Sequence, residues 1–179
     1  MAVQADFGGN SVYANDFFPG NTVPGSLSGT ALSTTNTNLN NVQTGTNITG
    51  ATLAPTAAQS GTTFVLSRLA GVTVTLPAPA VGLKYTFVVG GVPTSNAHKV
   101  ITSAGTVFLL GGVYIDKALT ITRYDADGST IVSINLNGTT TGGLTIGDQF
   151  DVICVSATEW TVAGTLTASG TLATPFATT

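Results

Sequence analysis

Charge is what this sequence has least of. Only 7% of its 179 residues are Asp, Glu, Lys or Arg, against roughly a quarter in an average soluble protein. Glutamate occurs once, lysine three times and methionine once. With those helix formers so scarce, a mostly helical fold is excluded. The five basic residues, Arg68, Lys84, Lys99, Lys117 and Arg123, are scattered and form no stripe. Sequence-independent binding of DNA or RNA needs many phosphate-neutralising cations, so no nucleic-acid partner is expected. No apolar run approaches the ~20 residues of a spanning helix, so no membrane partner is expected either. The stretch Met1–Asp6 has neither a basic start nor an apolar core and does not read as a signal peptide. One cysteine, Cys154, forbids an intrachain disulfide, and its alternation with Phe150 and Val152 marks it as a small buried apolar residue.

What is abundant is threonine, 33 residues, and glycine, 22. Together with Val and Ile they favour short strands and tight turns. A hydrophobic fraction of 42% and a mean hydropathy of +0.38 argue against a disordered chain. The net charge of −3 leaves little charge-based solubility, which suits a fixed part of a larger assembly.

The texture changes along the chain. Residues 1–25 carry Phe7, Tyr13, Phe17 and Phe18 among Gly, Asn and Pro, without strand or helix period. Residues 26–60 are a tract of Ser, Thr, Asn, Gly and Ala with no charge and only isolated apolar residues. Residues 1–60 therefore read as an extended N-terminal arm, ordered on a partner. From residue 61 to 168, eight to ten short strands are expected, with turn signals every ten residues or so. Val72–Leu76 alternates apolar and Thr, and Lys84–Val89 follows the Pro77-Ala78-Pro79 stop. Thr106–Leu110 and Val113–Ile115 read as two strands broken at Gly111-Gly112. Asp125–Gly128 reads as a hairpin turn between Ala118–Tyr124 and Ser129–Leu136. Gln149–Val155 and Glu159–Gly164 pair across Ser156-Ala157-Thr158, and residues 169–179 form a loose polar tail. The expected fold is all-β: an antiparallel β-sandwich or jelly-roll-like domain behind the arm. Its expected core is Val72, Val74, Leu76, Tyr85, Phe87, Val132, Ile134, Leu136, Phe150, Val152, Cys154, Trp160 and Val162.

Catalytic chemistry has little to work with. His98 is the one imidazole, and its place at a strand start reads as a solvated edge position. One His and one Cys do not make a zinc site. Asp125-x-Asp127-Gly128 lacks the rest of a calcium loop and reads as a turn. Asp148 and Asp151 show no sign of converging as a glycosidase pair; Asp148 reads as opening a strand by bonding the turn backbone. Trp160 alternates with Val162, which places it in a core or between subunits. No catalytic, cofactor or metal residue is assigned, and the chain reads as a structural or binding protein.

Between residues 61 and 164 the motifs Gly71-Val72-Thr73-Val74-Thr75-Leu76-Pro77, Gly82-Leu83-Lys84-Tyr85-Thr86-Phe87, Gly147-Asp148-Gln149-Phe150-Asp151-Val152 and Trp160-Thr161-Val162-Ala163-Gly164 appear in order. This cadence resembles a β-module of tailed-bacteriophage virion proteins, both head decoration proteins and fibres. The ending departs from the pattern, with Ser156-Ala157-Thr158-Glu159 where a Gly-rich turn usually precedes the Trp. The resemblance implies a virion protein that forms homo-oligomers, commonly trimers. Short length, the arm and the lack of a repetitive shaft favour a decoration (cement) protein on the outer capsid surface, with the major capsid protein as partner. Phe7, Tyr13, Phe17 and Phe18 are then the capsid-contact candidates. The alternative is a fibre or spike receptor-binding domain, including a glycan-binding one. A bacterial adhesin would normally bring an export signal.

Overall fold

The computed structural model describes residues 45–179, which belong to one compact unit. Twelve strands and one 3-10 turn build it: β1 Thr46–Ile48, β2 Thr52–Leu53, the turn Ala57–Gln59, β3 Thr63–Leu66, β4 Thr73–Thr75, β5 Lys84–Val89, β6 His98–Ile101, β7 Phe108–Lys117, β8 Thr120–Asp127, β9 Ser133–Leu136, β10 Gln149–Cys154, β11 Glu159–Thr167 and β12 Phe176–Ala177. A seven-stranded sheet, β1-β3-β5-β10-β11-β7-β8, packs on a five-stranded sheet, β12-β9-β6-β4-β2. The architecture is a β-sandwich.

Both sheets are mixed, which the expectation of antiparallel pairing did not include. From β1 to β6 the chain alternates between the sheets strand by strand, so strands that follow one another within a sheet run parallel: β1-β3-β5 in one, β2-β4-β6 in the other. The result is a three-turn coil, with each rung giving one strand to each layer. Crossings such as Gly71, at φ +80°, keep the rungs short: a side chain there would meet the Asn96 and Ala97 carbonyl oxygens 2.5 Å away. The second half adds the hairpins β7-β8 and β10-β11 and the antiparallel pairing of β9 with β6 and β12, while β11 joins β7 in parallel.

Alternation decides what is buried. Phe150, Val152 and Cys154 face inward from β10, Trp160, Val162 and Leu166 from β11, and Tyr85, Phe87 and Val89 from β5. Phe64, Phe87 and Phe150 stack in sequence across three neighbouring strands, with ring centroids 5.8 and 5.4 Å apart. Every residue named above for the core is buried.

Several boundaries differ from expectation. The sandwich begins before residue 61: Ile48 and Pro55 are buried, β1 pairs with β3, and Tyr85 Oη donates to the Thr56 carbonyl oxygen at 2.9 Å. The polar composition of that tract hides the two short edge strands. The last residues are not a loose tail, because Phe176 is buried and β12 pairs with β9. Gly111-Gly112 does not break a strand. β7 runs through it because β11 and β8 hold the backbone on both sides, Gly111 opposite Val162 and Ala126. The hairpin turn lies at Ala118-Leu119, whose φ values of +46° and +73° fit a two-residue loop of mirror-image type. Asp125–Gly128 instead ends β8 and sends the chain into the other sheet. There the Asp127 carboxylate accepts from the backbone N–H groups of Ser129, Thr130 and Ile131.

Candidate binding surface

Phe7, Tyr13, Phe17 and Phe18 lie outside the described residues. The other polar candidates each have a structural task. His98 is not a solvated edge residue; it is 1% exposed and sits under the crossing loops. Its Nδ1 accepts from the Val72 N–H at 3.2 Å and its Nε2 lies 2.7 Å from the Gly91 carbonyl oxygen, which fixes the neutral Nε2–H tautomer. Burial pushes its pKa below the ordinary 6.5. With both nitrogens engaged, the ring has no free lone pair for general-base work.

Asp148 and Asp151 do not act together. Asp148 is buried, and its carboxylate accepts from the N–H groups of Gly143 and Thr167 and from the Thr167 hydroxyl. It ties the glycine loop before β10 to the end of β11, with burial raising its pKa. Asp151 faces outward, pairs with Lys84 Nζ at 3.0 Å and accepts from the Thr86 hydroxyl. Asp127 is a cap, held well below the usual carboxylate range by Thr130 and the backbone N–H groups it binds. Trp160 is fully buried, 5.9 Å from the Tyr85 ring, and its Nε1 has no hydrogen-bond partner. Cys154 is buried, its thiol donating to the Ser156 carbonyl oxygen at 3.2 Å. Among the described residues no three His, Cys, Asp or Glu side chains gather as a metal site, and no helix is long and apolar enough to cross a membrane.

What remains is surface, and its most distinctive part is the outer face of the seven-stranded sheet. The strand registers set its side chains in rows. One row reads Val88, Gln149, Thr165, Tyr114, Arg123 from β5 to β8. The next reads Thr86, Asp151, Ala163, Gly112, Asp125, and a third reads Lys84, Ile153, Thr161, Leu110, Asp127. The middle row is short in its centre. A depression of about 140 Å³ lies there, lined by Gln149, Asp151, Ala163, Thr165 and the backbone of Phe150 and Gly164. Gly112 has to be small, since a Cβ would lie 2.5 Å from the Tyr124 carbonyl oxygen and 2.6 Å from the Asp125 carboxylate. Arg123 closes the far side, 2.7 Å from Asp125 and 5.8 Å above the Tyr114 ring centroid.

Beside this face, β8 is the last strand of the sheet among the described residues. The β7-β8 hairpin ends on Leu119, 98% exposed, with Ile121 66% exposed just beyond it. Neither feature is legible in the sequence: Gly111-Gly112 signals a strand break and Asp125–Gly128 a hairpin turn, so the register that assembles both leaves no local mark. Comparison of the chain with protein-family models, with curated proteins and with solved structures finds no match.

Proposed function

We propose that this chain is a structural virion protein, not an enzyme. In this reading it trimerises on the outer surface of a phage capsid and cements neighbouring capsid subunits. The observation that carries the reading is the β7-β8 hairpin. A soluble monomer with an open sheet edge ordinarily protects it with charge, proline or a bulge. Here the strand carries Arg123, Asp125 and Asp127, but the hairpin tip exposes Leu119 and Ile121, which gain by being covered in an assembly. Support also comes from the organisation of the polar side chains. Asp127, Asp148 and His98 are consumed by turns and crossings, as in a rigid domain built to bear load. β1 and β2, the first described strands, are edge strands of the two sheets. In this reading the β8 edge serves self-association and Phe7, Tyr13, Phe17 and Phe18 bind the shell.

Co-sedimentation of the full chain with empty capsid shells tests the attachment. The expected result is saturable binding at the shell surface that survives repeated washing. A chain that stays in the supernatant at all protein concentrations contradicts the reading. A second reading, a receptor-binding domain of a fibre or spike, is favoured by one observation, the polar depression on the outer sheet face.

A further inference from the structure

We infer that Asp127-Gly128 and Asn137-Gly138 are latent self-modification sites, and that the turns 127–131 and 137–141 are the locks that hold them closed. These are the only Asp-Gly or Asn-Gly pairs in the sequence. In such a pair no side chain hinders the glycine nitrogen, so it reaches the preceding Cγ and closes a succinimide ring more readily than before any other residue. The inference is independent of where the chain acts and of what it binds. Both Asp127 and Asn137 are exposed, so water reaches them and burial is not their protection.

The two turns repeat one arrangement. Asp127 Oδ1 accepts from the N–H groups of Ser129, Thr130 and Ile131 at 2.9, 2.8 and 3.2 Å. Asn137 Oδ1 accepts from those of Thr139, Thr140 and Thr141 at 2.9, 2.8 and 3.1 Å. A threonine completes each cap: Thr130 Oγ1 donates to Asp127 Oδ2 at 2.6 Å, and Asn137 Nδ2 donates to Thr140 Oγ1 at 2.8 Å. The glycine nitrogens are engaged as well. Gly128 donates to the Leu109 carbonyl oxygen and Gly138 to that of Gly142, each at 2.9 Å. Both glycines sit at positive φ, +72° and +76°, and a Cβ on Gly138 would lie 2.6 Å from the Pro93 carbonyl oxygen. The fold therefore requires glycine there and must live with the labile pair.

Ring closure is the step held back. The Gly138 nitrogen loses its proton and bonds to Asn137 Cγ, the Cγ–Nδ2 bond breaks, and ammonia leaves with that proton. Water then opens the imide at either carbonyl, giving Asp or isoAsp. At Asp127 the same closure expels water, and its return gives Asp or isoAsp. Closure needs the glycine nitrogen released from its carbonyl and Cγ turned back from the three N–H groups, so each turn must open first. An Asp formed at 137 can take up the cap that Asp127 makes. An isoAsp, with one more methylene in its backbone, cannot.

The test follows both sites by peptide mapping in the folded full chain near neutral pH, beside free peptides of residues 123–132 and 133–142 in the same buffer. Loss of the Asn137 amide is read by mass, and isoAsp at 127 by chromatographic separation of the isomeric peptides. Hydrogen exchange of the Gly128 and Gly138 amides, measured on the same chain, reports how often each turn opens. Both sites are expected to react at least about a hundredfold more slowly in the folded chain than in the peptides, with the slowing at each site equal to the exchange protection of its glycine amide. Asn137 loss in the folded chain within about tenfold of the peptide rate overturns the inference. So does a slowing that the Gly138 amide does not match, because protection would then have another source.

Discussion

His98 shows what one residue can do for a fold with few charges. Its neutral ring bridges the Val72 N–H and the Gly91 carbonyl oxygen. A proton on Nδ1 would set two donors against each other. Because the folded pKa lies below the ordinary 6.5, the unfolded chain takes up the proton first. Stability is therefore full above pH about 6.5 and falls as pH drops towards the folded value. Denaturant midpoints between pH 7.5 and 5 should fall in wild type and flatten in His98→Asn, whatever the variant's baseline. Asp148 acts with the opposite sign. Its raised pKa means the native state holds the extra proton between 3.8 and the folded value, so acid relieves a buried carboxylate there. Glycine makes the second prediction at this scale. A Cβ on Gly164 would run into the Gln149 carbonyl oxygen and Phe150, whereas one on Gly105 meets nothing within 4 Å. Gly164→Ala should cost about 1–3 kcal/mol, read as a Tm several degrees lower. Gly105→Ala should leave Tm unchanged or slightly raised.

At the scale of elements, local chemistry was legible and long-range pairing was not. The inward residues of β4, β5, β10 and β11 follow from alternation alone, because a period of two on a half-buried strand needs only neighbours. The β10-β11 hairpin was legible because its turn joins adjacent strands. The parallel coil of β1 to β6 left no such mark, since each strand pairs with one that lies a full rung away. β1 and β2 were hidden by polar composition, and Gly111-Gly112 signalled a turn that flanking ladders override. The site was least legible, as its rows exist only through those registers. This revises where the arm can be cut. Deleting residues 1–44 should leave the melting temperature of the β-domain within a few degrees of the full chain. Deleting 1–57 removes β1, β2 and buried Ile48 and Pro55, and should lower it markedly. Equal melting of the two truncations would count against the pairing of β1 with β3. If the aromatics are the clamp, the 1–44 deletion also loses shell binding. Two buried aromatics represent about 3–6 kcal/mol, a hundredfold or more in affinity.

The described residues form a sandwich whose two ion pairs lie on the outer sheet face and whose β7-β8 hairpin exposes Leu119 and Ile121. The proposed self-association would cover those two side chains. Analytical ultracentrifugation at micromolar concentration should give a species near three times the 17.9 kDa chain mass. Ile121→Lys, which replaces an exposed apolar side chain of β8 by a charge, should shift it towards monomer. A clean monomer in wild type would remove the trimer from the account. The central claim concerns place: the outer surface of a phage head. It is tested most directly by gold-labelling intact virions with an antibody against residues 45–179 and viewing them by negative-stain electron microscopy. The account predicts gold distributed over the head shell in many copies. Gold confined to tail or fibre tips, or absent from intact particles, would contradict it.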